Sequence, residues 1–313
     1  MSPEPGRTES ARQTRGGVER IVLVDGPSRV EVVPSLGNAC VGFRVNGWRV
    51  LDEPPDDAAL VTQTSRYGIP ILYPWPNRVA DGRFRFRGRQ IAVPTPKPPH
   101  ANHGFVRDLA WSLVDHGTDP DGAWVRSRVA VTWPAFPSTL EVVHRLRGTV
   151  LRIEATATCT GSEPIPTGFG LHPYFAVPEA NRGACTVQVP ASSGWELDRY
   201  LPTGRVVPRT ELRSPRPLGT DAWDDVFTGL DQPFAATLHD PVTGRSVVVR
   251  SDPGFREHVV YAPPDRPVVC LEPYTCPTDA FNLEARGLPA GVVVLGPGER
   301  WSGTVEIEAH TAV

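Results

Sequence analysis

An all-β chain made of large antiparallel sheets is what this sequence predicts, and three observations carry that expectation. Short β-prone pieces recur from beginning to end; 35 prolines and 29 glycines punctuate the 313 residues between them; and no long helical periodicity separates one strand from the next. A parallel α/β fold needs a crossover helix of about a dozen residues between most strands, and that pattern is missing. No fixed period recurs, so a propeller or β-helix has no support.

The pieces can be taken in order. "RVEVV", "FRVNGWRVL" and "GRFRFRGRQIAV" carry strand composition, the last alternating arginine with phenylalanine as a strand with one wet face does. "WVRSRVAVTW" follows, and the long alternating segment from Thr139 to Cys159 contains "RGT", a turn between two paired strands. "CTVQV", "RSVVVR", "HVVYA", "PVVCLEPY", "GVVVL" and "GTVEIEA" continue the pattern. With no compositional linker in the middle, one large twisted sandwich over residues 18–313 is expected. The polar stretch "MSPEPGRTESARQTRGG", residues 1–17, reads as a disordered leader, and it lacks the apolar middle of a secretory signal.

Composition narrows the function classes. A formal charge of -3, from 32 Lys plus Arg against 35 Asp plus Glu, favours neither nucleic acid nor an anionic membrane. The five cysteines, Cys40, Cys159, Cys185, Cys270 and Cys276, are dispersed with no CxxC spacing. They read as reduced residues of a cytoplasmic protein. No stretch is long and apolar enough to span a bilayer.

Several polar points interrupt the strands. Pro70, Pro74 and Pro76 each lack a ladder donor, so the chain around them passes along a sheet edge or across its mouth. There Trp75 can present an apolar face, while Asn77 and Arg78 are either a turn cap and a surface ion-pair member or a clamp for a polyhydroxylated ligand. His103 precedes Gly104, which lets the backbone turn closely around whatever the imidazole faces. His172 lies between Gly168, Gly170 and Pro173, with Tyr174 and Phe175 as apolar walls; it is either a packed histidine or a working one. Glu272 ends the apolar run Val268 to Leu271, so it is either a structural carboxylate or one whose pKa burial raises toward the range of proton transfer. Asp224 and Asp225, beside Trp223, are loop caps or sugar ligands, and Asp279 and Asn282 read as loop organisers. HxH, HExxH, GxSxG, a P-loop and a supported dinucleotide fingerprint are all absent, so no metal or cofactor site is expected.

In this order and at these separations, "GIPILYPWPNRVADGRFRFRG", "NHGFVRDLAW", "GFGLHPYF", "DAWDDVF" and "LEPYTCPTDAFN" resemble the aldose 1-epimerase, or galactose mutarotase, family. The resemblance covers Glu19 to Ala309. It implies a galactose-mutarotase-like β-supersandwich with a sugar cleft on one broad sheet, acting without metal or organic cofactor on the anomers of a free aldose. Carried over by position, it puts the general base on Glu272 and the general acid on His172. It puts substrate binding on Arg78, His103 and Asp224, supported by Asn77 and with Trp75 or Phe175 as apolar walls. The only partner implied is the sugar, held by a monomer or homodimer. Phe105 after His103-Gly104 and the proline-rich "TPKPPHA" depart from the galactose-specific pattern. A related branch acts on hexose 6-phosphates, and Arg107 or Lys97 could meet a phosphate there; Asn77-Arg78 favours the unphosphorylated branch. Another sugar reaction, or carbohydrate binding without catalysis, are the alternatives.

Overall fold

The computed structural model describes residues 6–311. Among them strands dominate, they pair antiparallel, and three sheets hold most of them. The first is a meander of five strands in chain order: Thr8–Arg15, Val18–Asp25, Ser28–Val33, Ala39–Val45 and Trp48–Arg49. Its first two strands pack on the hairpins of a nine-stranded sheet. That sheet runs Ser112–Asp119, Gly122–Val131, Ser138–Arg147, Val150–Cys159, Arg300–His310, Arg245–Ser251, Phe234–Asp240, Thr186–Gln188 and Arg216–Pro217. The last long strand of the chain therefore joins its two halves.

The third sheet, of eight strands, carries the polar residues singled out above. Its order is Leu201–Pro208, Ala191–Asp198, Trp223–Leu230, Glu257–Ala262, Val268–Tyr274, Gly170–Leu171 and Ile71–Leu72, with Tyr174–Ala176 also paired to Val268–Tyr274. The edge position of Ile71–Leu72 is where the flanking prolines permit a strand, since no ladder partner is needed on its outer side.

Alternation explains the layers. Along Ser138–Arg147 and Val150–Cys159 every second residue is buried, and Leu140, Val142, Leu146, Leu151 and Ile153 face the core. Each such side chain contributes about 1.5–3 kcal/mol by leaving water. Val268–Tyr274 is instead buried at all seven positions, as a central strand covered on both faces must be. A carboxylate on that strand is out of water from the start.

The expected turn at "RGT" is in place, with Gly148-Thr149 closing its hairpin. "FRVNGWRVL" and "GRFRFRGRQIAV", read as single strand pieces, each fold instead as a hairpin, turning at Asn46-Gly47 and Arg87-Gly88. The disordered leader expected over residues 1–17 is corrected: Thr8–Arg15 forms an edge strand in register with Val18–Asp25. Its polar side chains do not prevent this, because the backbone ladder satisfies its own groups and the side chains stay wet. Gly16 and Gly17, both at positive φ, make the two-residue turn. Residues 1–5 of that expected leader lie outside the described residues. All five cysteines are buried and unbridged, and no helix among the described residues is long and apolar enough to cross a membrane.

Candidate active site

Strand register builds the site. Across the eight-stranded sheet Asp224 pairs with Tyr261, Tyr261 with Cys270, and Cys270 with Tyr174. The next facing row runs Val226, Val259, Glu272, and the next Thr228, Glu257, Tyr274. Since residues two apart point the same way, these side chains share one face, while Val260, Leu271 and Phe175 point into the core behind it. A short helix, Ala280–Ala285, covers part of the site face through Leu283 and Ala280, which pack with Tyr274 and Trp195.

Beside that helix a cavity of ≈ 200 Å³ remains open. Asp224, Val259, Tyr261, Glu272 and Tyr274 line it from the sheet, Tyr174 from a neighbouring short strand and His172 from the link just before that strand. Asn77, Arg78 and His103 close it from the proline-rich edge. At its floor, His172 Nε2 stands 3.4 Å from Glu272 Oε1, and the Tyr274 hydroxyl donates to Glu272 Oε2. The His172 ring lies stacked on Tyr174, centroids 4.4 Å apart.

The edge residues are set by backbone geometry. Asn77 and His103 both have positive φ, and the His103 N–H donates to the Asn77 carbonyl at 2.7 Å. In return the Asn77 N–H donates to His103 Nδ1 at 3.1 Å. That bond fixes the neutral tautomer with its proton on Nε2, so His103 presents a donor to the cavity. Arg78 Nη1 donates to Asn77 Oδ1 at 2.9 Å. Asp279, expected as a loop organiser, does that work: its N–H donates to the Arg78 carbonyl and its Oδ1 accepts from the Ala80 N–H. Arg78 Nη2 and Asp224 Oδ2 are 4.0 Å apart, too far for a direct hydrogen bond, so both retain valences for a ligand.

Burial sets the charges. It pushes Glu272 well above the usual carboxylate range, with the Tyr274 hydrogen bond opposing and the nearby Asp224 charge adding. It pushes His172 down to about 3, with the Arg107 charge adding, and holds His103 well below the usual imidazole value for the same two reasons. Burial therefore disfavours both the doubly protonated and the fully deprotonated His172–Glu272 pair. Among the described residues His172, Cys270 and Glu272 have potential ligand atoms within 4.8 Å of one another. Burial raises both the Cys270 thiol and the Glu272 carboxyl well above their usual values, favouring the neutral form of each.

The structure thus brings together Glu272, His172, His103, Arg78, Asn77 and Asp224. It does not bring in the two residues expected as apolar walls. Trp75 is 3% exposed and packs against Phe105, Phe136 and Phe281, with centroids at 4.9, 5.6 and 6.4 Å. Phe175, fully buried, is one residue out of phase with Tyr174 and so faces the core. Tyrosines line the cavity instead: Tyr174, expected as a wall beside His172, together with Tyr261 and Tyr274, which were not singled out. The signal for the last two was the spacing from Glu272, Tyr274 two residues along its strand and Tyr261 on the paired one.

With that geometry in view, comparison with known proteins decides the family. The aldose 1-epimerase family profile matches residues 20–308. The chain belongs to the aldose 1-epimerase family. As a member it is an enzyme of the epimerase class. Human galactose mutarotase is 27% identical over 275 residues, covering 73% of this chain and 74% of that one. An uncharacterized Escherichia coli protein, YihR, is 25% identical over 228 residues, covering 68% and 71%. Among solved structures, a galactose mutarotase-like protein from Clostridium acetobutylicum superposes with a TM-score of 0.88 at 21% identity, covering 97% of this chain and 99% of that one. The galactose-mutarotase-like fold of this aldose 1-epimerase family member is thereby shared over nearly its whole length.

Proposed function

We propose that this chain is an aldose 1-epimerase that interconverts the α and β anomers of a free, unphosphorylated aldose. The observation that supports this most is the 3.4 Å separation of His172 Nε2 and Glu272 Oε1 at the floor of a cavity sized for one sugar ring. A base and an acid so close can reach the C1 hydroxyl and the ring oxygen of the same pyranose.

In ring opening Glu272, as carboxylate, takes the proton of the C1 hydroxyl. The C1–O5 bond breaks with its electron pair going to O5, and His172 delivers a proton to that oxygen. The open-chain aldehyde turns about C1–C2. His172 then removes the C5 hydroxyl proton as that oxygen attacks the opposite carbonyl face, and Glu272 returns its proton to the carbonyl oxygen. Both groups end as they began. Burial by itself favours the un-ionised pair; the Tyr274 hydroxyl and the Arg78 charge favour the carboxylate that the first step needs. Arg78, Asp224 and the Nε2–H of His103 grip the remaining hydroxyls while C1 turns.

Charge in the cavity supports a neutral sugar. Arg78 is the one cationic residue in its lining, facing Glu272 and Asp224, and neither Arg107 nor Lys97 is part of that lining. Arg107 stands 3.5 Å, Nε to Oδ2, from Asp108 and acts on the cavity histidines through its charge.

One-dimensional proton NMR of anomer exchange across neutral, acidic and phosphorylated aldoses tests the reading. Acceleration over buffer with a neutral aldose is expected, reduced about 10²–10⁴-fold in Glu272→Gln. Exchange only with a phosphorylated sugar overturns the substrate class; saturable binding without any acceleration overturns the activity.

A further inference from the structure

The hairpin formed by Ala191–Asp198 and Leu201–Pro208 lies next to the strand that carries Asp224. Asp198 pairs with Leu201, so Arg199 and Tyr200 alone make its turn, and both have positive φ, 47° and 72°. Such a two-residue turn is the place for Asn-Gly or Gly-Gly. A tyrosine there pays a backbone penalty of about 1 kcal/mol or more, and a penalty kept at one position is a reason to ask what the side chain does. Burial does not explain it, because Tyr200 is 56% exposed. What it touches is Arg78, whose guanidinium carbon lies 4.6 Å from the centre of the tyrosine ring.

Exposure orders the site by depth. The Glu272 side chain is 2% exposed, those of Arg78 and Asp224 are 25% and 30%, and Tyr200 stands at the rim beyond them. The Arg78 fork is thus shared between Asn77 Oδ1 behind it and an aromatic face in front. A sugar with C1 at the floor presents its far end to Arg78 and Asp224, and one apolar C–H face to whatever lies at the rim. An exposed phenol ring already held against the gripping arginine meets that face with its own apolar surface at little cost in side-chain freedom.

We propose that Tyr200 is a sugar-positioning and specificity-determining residue, which stacks on the C–H face of the aldose at the end remote from Glu272 while keeping Arg78 in place. This rests on the aldose reading above. A hairpin tip selects by shape and stacking, so sugars that turn a continuous C–H face toward the tip are preferred to those with a hydroxyl projecting from that face.

The test pairs kinetics with binding. In wild-type enzyme, Tyr200→Ala should raise KM about tenfold, corresponding to about 1.4 kcal/mol, with kcat within about twofold, and Tyr200→Phe and Tyr200→Trp should restore KM. A merely structural residue would not split KM from kcat or be rescued by another exposed ring, and thermal melts check that the variants fold. The same substitution placed on Glu272→Gln is read by equilibrium binding of the neutral aldoses by saturation-transfer NMR. Weaker binding there with Tyr200→Ala supports the inference even if the wild type proves not to convert anomers. Unchanged KM and unchanged binding in Tyr200→Ala overturn it while leaving the epimerase reading intact, and failure of every neutral aldose to bind overturns both.

Discussion

Glu272 and Tyr274 stand two residues apart on one buried strand, and the phenol donates its hydrogen bond to the carboxylate. A strand that sends residues i and i+2 to the same side places the donor there without any loop, on a backbone held by neighbours on both sides. The bond strengthens the ionised form of a group that burial drives toward the neutral one.

Removing it should therefore cost turnover. Tyr274→Phe is expected to lower kcat about 10- to 100-fold, the worth of a hydrogen bond to a charged group. It should also move the basic limb of the rate profile to higher pH, because the carboxyl loses its one hydroxyl donor. Anomer-exchange kinetics against pH read both; an unchanged basic limb would show that the bond does not govern the carboxyl.

The pH profile of the wild type has a definite sign. His172 is pushed down to about 3 by burial and by Arg107, while burial pushes Glu272 up. The pair gains its second proton only well below pH 6.5 and loses its single proton only well above 4.5. We expect kcat/KM to stay level through pH 6.5, the usual imidazole value, and to fall only in much more acid solution. A half-maximal rate near 6.5 contradicts this.

Gly104 holds the loop behind His103. Its φ is +66°, and a Cβ there would lie 2.1 Å from the Tyr73 carbonyl oxygen. Gly104→Ala should destabilise the protein by about 1–3 kcal/mol and raise KM by shifting His103 off Asn77. Denaturant unfolding and steady-state kinetics measure the two effects.

Glu257 offers a stability test away from the chemistry. It is 3% exposed, accepts a hydrogen bond from Trp195 Nε1 at 3.1 Å, and is pushed by burial from the usual 4.5 to about 8, with Thr228 and Trp195 opposing. Between those two values the folded protein binds more protons than the unfolded chain, so stability declines as pH rises through the window and levels off above about 8. Glu257→Gln keeps an acceptor for Trp195 and removes the titration. It should be more stable than wild type at pH 8 by an amount on the order of a few kcal/mol, with the difference vanishing below pH 4.5. Urea midpoints at several pH values decide it.

The fold was legible because its signals are local. Alternation over Thr139 to Cys159 and the turn at "RGT" define a hairpin without reference to anything distant. The burial of Glu272 was legible for a related reason, a carboxylate closing an apolar run. Direction was harder. Trp75 and Phe175 sit one step from cavity residues, and nothing short of the register with Cys270 and Val269 tells which of Tyr174 and Phe175 faces the cavity. Asp224, read as a loop cap or a sugar ligand, is on the strand Trp223–Leu230, because ladder bonds to Glu257–Ala262 outweigh the low β-propensity of two consecutive aspartates. The strand Thr8–Arg15 escaped because its composition is polar and its stability comes from the partner strand.

The way the ladder is divided has a consequence for how such an enzyme can change. Glu272 is rooted in an interior rung, where inserting or deleting one residue would turn a whole strand inside out, whereas the tip bearing Arg199 and Tyr200 is a peripheral bend that can change without disturbing a buried strand. Under the aldose reading, a new sugar preference would then need only a few codons rewritten at the periphery, with Glu272 and its strand inherited untouched.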